Sequence, residues 1–335
     1  GLQIVDVADP TAPFLVGSLL VGERSAALAV YGDYVYLVDT YEGLRIIDVS
    51  DPAAPVVIQH LDPVPFPQDV VVVKDRAYLS TWNGIYLYAI ADPTDPVLLS
   101  VIPEGDYYGY EGITVRDDLV YVAARQGGLR IWDVSDPLHP EFLDDQNMSD
   151  TAVDVDLHGD LAVVTCYHGN IRIVNVVEPR DLRLVGGIHP PGTSSEILCR
   201  QGVAYIAASN EGVRILDLGD PTEPEIVGRC HVGGFGISLA VRDGIAHVAE
   251  SNGGLRILDV SDPRAPTPIG YDHVGGGFSD LALAGDLAYV CGTEGALIFD
   301  VADPTAPQLV AIYPTDDWLG EIAVRDDLAL SLIHI

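Results

Sequence analysis

Apolar residues in this chain gather in short runs separated by Gly, Asp and Pro at intervals of about 8 to 12 residues, the spacing of strands and tight turns rather than of helices. Four such runs, Ala26 to Val30, Tyr34 to Val38, Leu44 to Val49 and Val56 to His60, fill one unit of about 42 residues, and the unit then recurs. Its signature is a motif of the form G-L-R-I-x-D-V-x-D-P-x-x-P, with eight copies beginning at Gly1, Gly43, Gly84, Gly128, Asn170, Gly212, Gly254 and Gly295. Four strands in a unit of this length make one blade, so the predicted fold class is all-β, a β-propeller of four-stranded antiparallel blades.

The turns support that reading. Between the first two strands, Gly32-Asp33, Gly159-Asp160 and Gly285-Asp286 supply residues that tolerate positive φ and close tight hairpins. After the third strand, Asp51-Pro52, Asp136-Pro137 and Asp262-Pro263 join a capping side-chain oxygen to a fixed φ. Pro55, Pro140 and Pro266 then lead into the fourth strand, which as an outer edge tolerates a missing N–H. The chain starts on a third strand and ends on a second. Glu321 to Ile335 is therefore expected to pair with Leu2 to Val7 and the strand after it, closing an eight-bladed ring, with seven complete blades and loose ends as the alternative. Residues 1–335 form a single propeller domain on this reading. Leu330 to Ile335 break the repeat pattern and are expected to be a non-native tail, on a chain that is a piece of a longer protein.

The G-L-x-I-x-D-V-x-D-P-x-x-P pattern resembles the LVIVD-repeat family of bacterial and archaeal propellers, and the resemblance runs along essentially the whole chain. It implies a secreted or surface-displayed protein. Two copies depart from the pattern: the fifth has Asn175, Glu178 and Leu182 where the others have Asp, Asp and Pro, and the third has Tyr86 and Tyr88 in place of Arg and Asp. The dipeptide Trp132-Asp133 hints at a WD40 propeller, but it occurs once and inside a third strand, where other copies place Ile, Leu, Val or Phe in the Trp slot.

Charge narrows the partners. With 17 Lys and Arg against 50 Asp and Glu, the formal charge of −33 repels phosphate backbones and anionic headgroups, so nucleic acid is excluded as a partner. No apolar run reaches the length of a spanning helix, so no membrane insertion is expected within this segment. Cys166, Cys199, Cys230 and Cys291 lie in different repeats without metal-ligand spacing and read as small core residues, with Cys199 to Cys230 the one disulfide pairing worth testing.

Several groups are candidates for chemistry. Asp154, Glu196, Asp280 and Glu321 share one register of the innermost strands, with Asp69 and Glu111 one residue earlier in theirs. A ring of acids there has the oxygen donors that Ca²⁺ prefers, against a reading as a solvated rim or partners for arginines. Arg45, Arg130, Arg172, Arg214 and Arg256 repeat at one position of the third strand, where pairing with a neighbouring carboxylate is expected. His189, His231 and His273 recur on successive blades at outer positions that diverge, a poor arrangement for zinc. Phe66, Tyr107, Tyr108, Tyr110, Phe235, Phe278 and Trp318 cluster in the loops from one blade to the next, on one face, as a ligand surface or as packing between blades. Nucleophile elbows, zinc-protease motifs and phosphate loops are missing. The expected function is a non-enzymatic, extracellular binding or scaffold propeller that contacts a protein or glycan. The alternative is a hydrolase or lyase using acids at the channel mouth with Ca²⁺.

Overall fold

The computed structural model describes residues 1–335 apart from 22–24, 62–63, 65, 105–108, 190–195, 209–211, 232–235, 316–317 and 334–335. Thirty-two strands, numbered β1 to β32 in chain order, form eight antiparallel sheets of four, an eight-bladed β-propeller. Blade 2 shows the pattern: β3 (Ser25–Tyr31), β4 (Tyr34–Asp39), β5 (Gly43–Asp48) and β6 (Val56–Leu61) run from the innermost strand a to the outermost strand d, joined as hairpins.

The innermost strands of blades 3 to 8 are β7 (Pro67–Val73), β11 (Ile113–Arg116), β15 (Ala152–His158), β19 (Glu196–Arg200), β23 (Gly236–Arg242) and β27 (Phe278–Ala284). Together with β3 and β31 (Leu319–Arg325) they contact one another in cyclic order and so wall a central channel. Blade 1 closes the ring. It combines β31 and β32 (Leu328–Ile333) with β1 (Leu2–Asp6) and β2 (Phe14–Leu19) in the order β2-β1-β32-β31, with Leu2 opposite Leu332 and Asp6 opposite Leu328. Within the stretch that breaks the repeat pattern, Leu330 and Leu332 are fully buried in this closing sheet.

Each blade is covered by a neighbour on both sides, which explains why the middle strands are continuous apolar runs. In β4, five of six residues are buried, whereas β6 is mostly exposed or half-buried. The buried residues form eight separate cores, one at each interface between blades. Val38 and Ile46 of blade 2 meet Leu79 and Tyr88 of blade 3, and Leu28 and Leu37 of blade 2 meet Leu330 and Leu332 of blade 1. The four cysteines are buried and free. Cys199 and Cys230 lie on the inner and outer strands of one sheet, separated by two strands, so the pairing considered from sequence fails. Three inter-strand spacings of about 4.8 Å exceed the span of a disulfide.

The D-V-x-D-P-x-x-P segment folds as two consecutive Asx turns. Asp48 Oδ1 accepts the Ser50 N–H at 2.8 Å, Asp51 Oδ1 accepts the Ala53 N–H at 3.1 Å, and the Asp51 carbonyl accepts the Ala54 N–H at 3.0 Å. The fifth copy keeps this geometry: Asn175 Oδ1 accepts the Val177 N–H at 3.0 Å and the Glu178 carbonyl that of Asp181 at 2.9 Å. Leu182, standing in the proline slot, restores an N–H that needs an acceptor, and Asp144 on the outer strand of blade 4 supplies it at 2.7 Å. At the equivalent outer-strand position, blades 1, 5, 6 and 7 carry Gly17, Gly186, Gly228 and Gly270, each against a prolyl turn of the next blade. The pair Asp144 and Leu182 thus replaces the pair Gly and Pro. In the third copy, strand pairing sets Tyr88 in the place of Ile47 and Ala89 in that of Asp48, so Tyr88 lies one residue before the position read from sequence and on the opposite face of the sheet.

Candidate functional site

The hairpins from strand b to strand c and the connections from strand d to the next strand a lie on one face of the ring, and their aromatic residues converge beside the channel mouth. Trp82 stands at the tip of the b–c hairpin of blade 3, and Phe66 ends the connection leading into that blade. Their rings stack at 5.3 Å with an interplanar angle of 26°. Phe66 adopts φ of 47°, a left-handed conformation that costs a bulky side chain energy. Its carbonyl is held by the Trp82 N–H at 3.3 Å and by Gln68 Nε2 at 3.0 Å. Gln68 sits at a bulge between Pro67 and Asp69, a common device for turning side chains toward a site.

Tyr41, Phe66, Gln68, Trp82, Trp318 and Glu321 line a pocket of about 510 Å³ between blades 1, 2 and 3. The four aromatic residues are 43 to 62% exposed. The buried Asp39 fixes the hairpin that carries Tyr41, since its Oδ1 accepts the N–H groups of Tyr41 and Glu42, both at 2.9 Å. On the far side of Trp82 lies a second pocket of about 270 Å³, shared with Asn83, Glu104 and Arg125. Arg125, also left-handed at φ of 46°, is paired with Glu111.

The remaining loop aromatics divide. Tyr110 is fully buried, its hydroxyl donating to the Pro103 carbonyl at 2.9 Å and accepting from Arg130 at 3.2 Å. Phe278 is buried against Phe299 in the core between blades 7 and 8. Both pack the ring rather than display a surface. Tyr107, Tyr108 and Phe235 lie outside the described residues. Trp82 and Tyr41 escaped the sequence reading, although an aromatic residue two places before the repeat's glycine was the available signal.

The carboxylates on the inner strands serve the ring itself. Asp69, Asp154, Glu196, Asp280 and Glu321 occupy one register; Asp69 is in step with the others and not one residue earlier, and Gly112, next to Glu111, takes that place in blade 4. Each reaches across to a backbone N–H of the next blade. Glu196 Oε2 accepts from Leu239 at 3.0 Å, Asp280 Oδ2 from Ile322 at 3.0 Å and Glu321 Oε2 from Leu28 at 2.7 Å, and Asp69 and Asp154 accept from Ile113 and Ile197. Blades 2, 4 and 7 have Ala27, Gly112 and Ser238 in this register, and each is followed by a blade bearing Asp. That Asp takes the orphaned N–H on its own strand: Val70 at 2.7 Å, Val155 at 2.8 Å, and Leu281. Five carboxylates thus satisfy eight inward N–H groups, as a low-dielectric wall requires.

Protein surrounds these groups while the channel leaves them half-accessible, and burial raises their pKa values. Asp154 rises to about 6, Glu196 to about 7 and Glu321 to about 8, the last aided by the nearby Asp280. A carboxyl raised in the folded state adds stability below its unfolded pKa near 4, and this is lost as pH climbs through the folded value. The propeller is therefore expected to melt at a higher temperature at pH 5 than at pH 9 in constant salt, with Glu321→Gln flattening the slope near pH 8. A melting temperature that rises with pH over this range contradicts the assignment.

Among the described residues no group of three or more His, Cys, Asp or Glu is placed to hold a metal ion. The acids proposed for Ca²⁺ from sequence, Asp154, Glu196, Asp280 and Glu321, are spread around the wall as inter-blade acceptors. The arginine row ties strands to loops: Arg45 pairs with Glu42, Arg256 with Glu250 while lying 4.2 Å over Tyr271, and Arg130 and Arg172 donate to the Glu104 and Met148 carbonyls at 2.7 and 3.4 Å. His189 contacts Asn170 and His273 contacts Tyr271, each on its own blade.

A family model for the LVIVD repeat matches residues 1–21, 24–62, 111–145, 191–232, 233–271 and 275–315, more than half of the chain. The chain belongs to the LVIVD-repeat family. The stretches left unmatched hold the third and fifth copies, the two that depart from the motif. No curated protein matches this LVIVD propeller in sequence. Its fold is similar to that of a computationally designed protein, Ika8, at a TM-score of 0.76 and 10% identity, covering 92% of this chain and 93% of that one. The C-terminal WD40 domain of Sif2 matches at 0.69 and 13% identity, and Sqt1 of Saccharomyces cerevisiae at 0.74 and 8%, each over 93% of this chain and 96% of the other. At such identities the likeness is one of fold.

Proposed function

We propose that this LVIVD propeller is a non-enzymatic binding module of the cell exterior, taking a protein or glycan on the face that carries the aromatic pocket. The observation behind this reading is that four exposed aromatic side chains, from three blades, converge on one cavity of about 510 Å³. Exposed aromatic groups in a concave site give contact area at small entropic cost, and a strained Phe66 held in place by two hydrogen bonds is pre-organised. The hydrolase alternative needs acids at the channel mouth, where Glu196, Asp280 and Glu321 accept backbone N–H groups of the next blade, and Glu321 is the single carboxylate among the described residues lining this pocket.

Glycan and protein arrays probed with the wild-type chain and with Trp82→Ala test the reading. A ligand of the wild type should lose about tenfold or more in affinity on Trp82→Ala, the loss expected for one aromatic anchor. Undiminished binding by Trp82→Ala places the ligand elsewhere and refutes the proposal.

A further inference from the structure

The pocket's lining restricts the chemistry of what enters it. We infer that the group received beside the channel mouth is an organic cation, an ammonium head seated among Tyr41, Phe66, Trp82 and Trp318 next to Glu321; the inference rests on the binding reading above and specifies its ligand. Aromatic faces carry the negative side of a quadrupole, and cations, quaternary ammonium above all, are drawn to several such faces at once. The four rings are 43 to 62% exposed, and the stacked pair Phe66 and Trp82 presents its outer surface to a guest. Among the described lining residues Glu321 is the one acidic side chain, and none is Lys, Arg or His. Arg24, beside Ser25 in sequence, lies outside the described residues. Arg125, across Trp82, is already neutralised by Glu111.

The wider field points the same way. The channel wall below the pocket bears Asp69, Asp154, Glu196 and Asp280, and the chain as a whole carries −33. A cleft of one sign concentrates counter-ions, so an anionic guest is repelled and a neutral one gains nothing from the potential. Glu321, pushed up to about 8 by burial and by Asp280, is partly protonated at neutral pH. An ammonium group beside it favours the ionised form, so binding releases a proton and must tighten as pH rises from 6 to 9. A neutral guest has no such dependence.

Titration calorimetry and tryptophan fluorescence of the whole chain test this, with ionic strength held constant by NaCl. The probes are choline, its neutral isostere 3,3-dimethylbutan-1-ol, and Nα-acetyl-lysine methylamide. Choline is expected to bind about tenfold more tightly than the isostere, to tighten with pH, and to lose its advantage in Glu321→Gln. Trp318→Ala, which removes a half-exposed ring and leaves the Glu321 carboxyl in place, should weaken choline by a similar factor if Glu321→Gln fails to fold. Preference for the lysine derivative over choline assigns the cation to a peptide partner, and the reverse assigns it to a free quaternary amine. Equal binding of choline and its isostere, lost on Trp82→Ala, overturns the cation inference and leaves the pocket as the binding site. Absence of binding by all three probes overturns the inference, while the array result for Trp82→Ala decides the wider reading on its own.

Discussion

Asp280→Ala is expected to lower the unfolding free energy by about 2 to 4 kcal/mol, because one truncation strands donors on three blades. The carboxylate accepts from the Ile322 N–H at 3.0 Å and the Ser238 hydroxyl at 2.9 Å, and it also takes the Leu281 N–H of its own strand. Ile322 belongs to the closing blade, so the lost contact weakens the join between β27 and β31. Asp280→Asn keeps one acceptor oxygen and should recover roughly half of the loss, while Ser238→Ala removes one donor cleanly and should cost about 1 kcal/mol or less. Urea unfolding of the three variants separates these cases. A change under about 0.5 kcal/mol for Asp280→Ala would mean that channel water serves the N–H groups equally well.

Gly228→Ala is expected to cost about 3 kcal/mol for a different reason. A Cβ at residue 228 would overlap the Pro263 carbonyl oxygen, with the Pro266 ring 3.0 Å away, so two blades must move apart. Overpacking of this kind commonly costs 1 to 3 kcal/mol, and here the obstacle is backbone rather than a side chain that can rotate. Gly285→Ala is the control: at φ of 52° it carries a backbone strain that residue 228 does not, but a Cβ there meets nothing within 4 Å, so its smaller loss reports backbone strain alone. Equal losses for the two variants would refute the steric account.

The blades were legible because four strands and their Asp-Pro turns recur eight times, and each copy confirms the others. Eight blades rather than seven followed from the complementary strands at the two ends, which β1 and β32 realise. The channel register was harder. Asp69 was misplaced by one, although its hairpin turns on Lys74 at φ of 56° and keeps the same length as those turning on Gln201 and Asp326. Tyr110 read like its neighbours in the loop, and only the acceptor at Pro103 and the donor at Arg130 explain why it turns inward. The acids looked like a cation site because sequence shows charges sharing a register but not the open N–H groups that face them. Trp82 and Tyr41 lie in b–c hairpins rather than in the loops from one blade to the next, yet they are two of the pocket's four aromatic residues.

The division of the interior into eight cores, each bridging two neighbours, also governs how the molecule comes apart. In an open array of repeats the terminal unit is held on one side and frays first. A closed ring has no such unit: any blade that leaves must rupture two cores and two rows of inner-strand contacts together. Opening should therefore be rare and cooperative, giving slow unfolding even where equilibrium stability is modest, the kind of persistence that lifetime under protease measures better than a melting curve does.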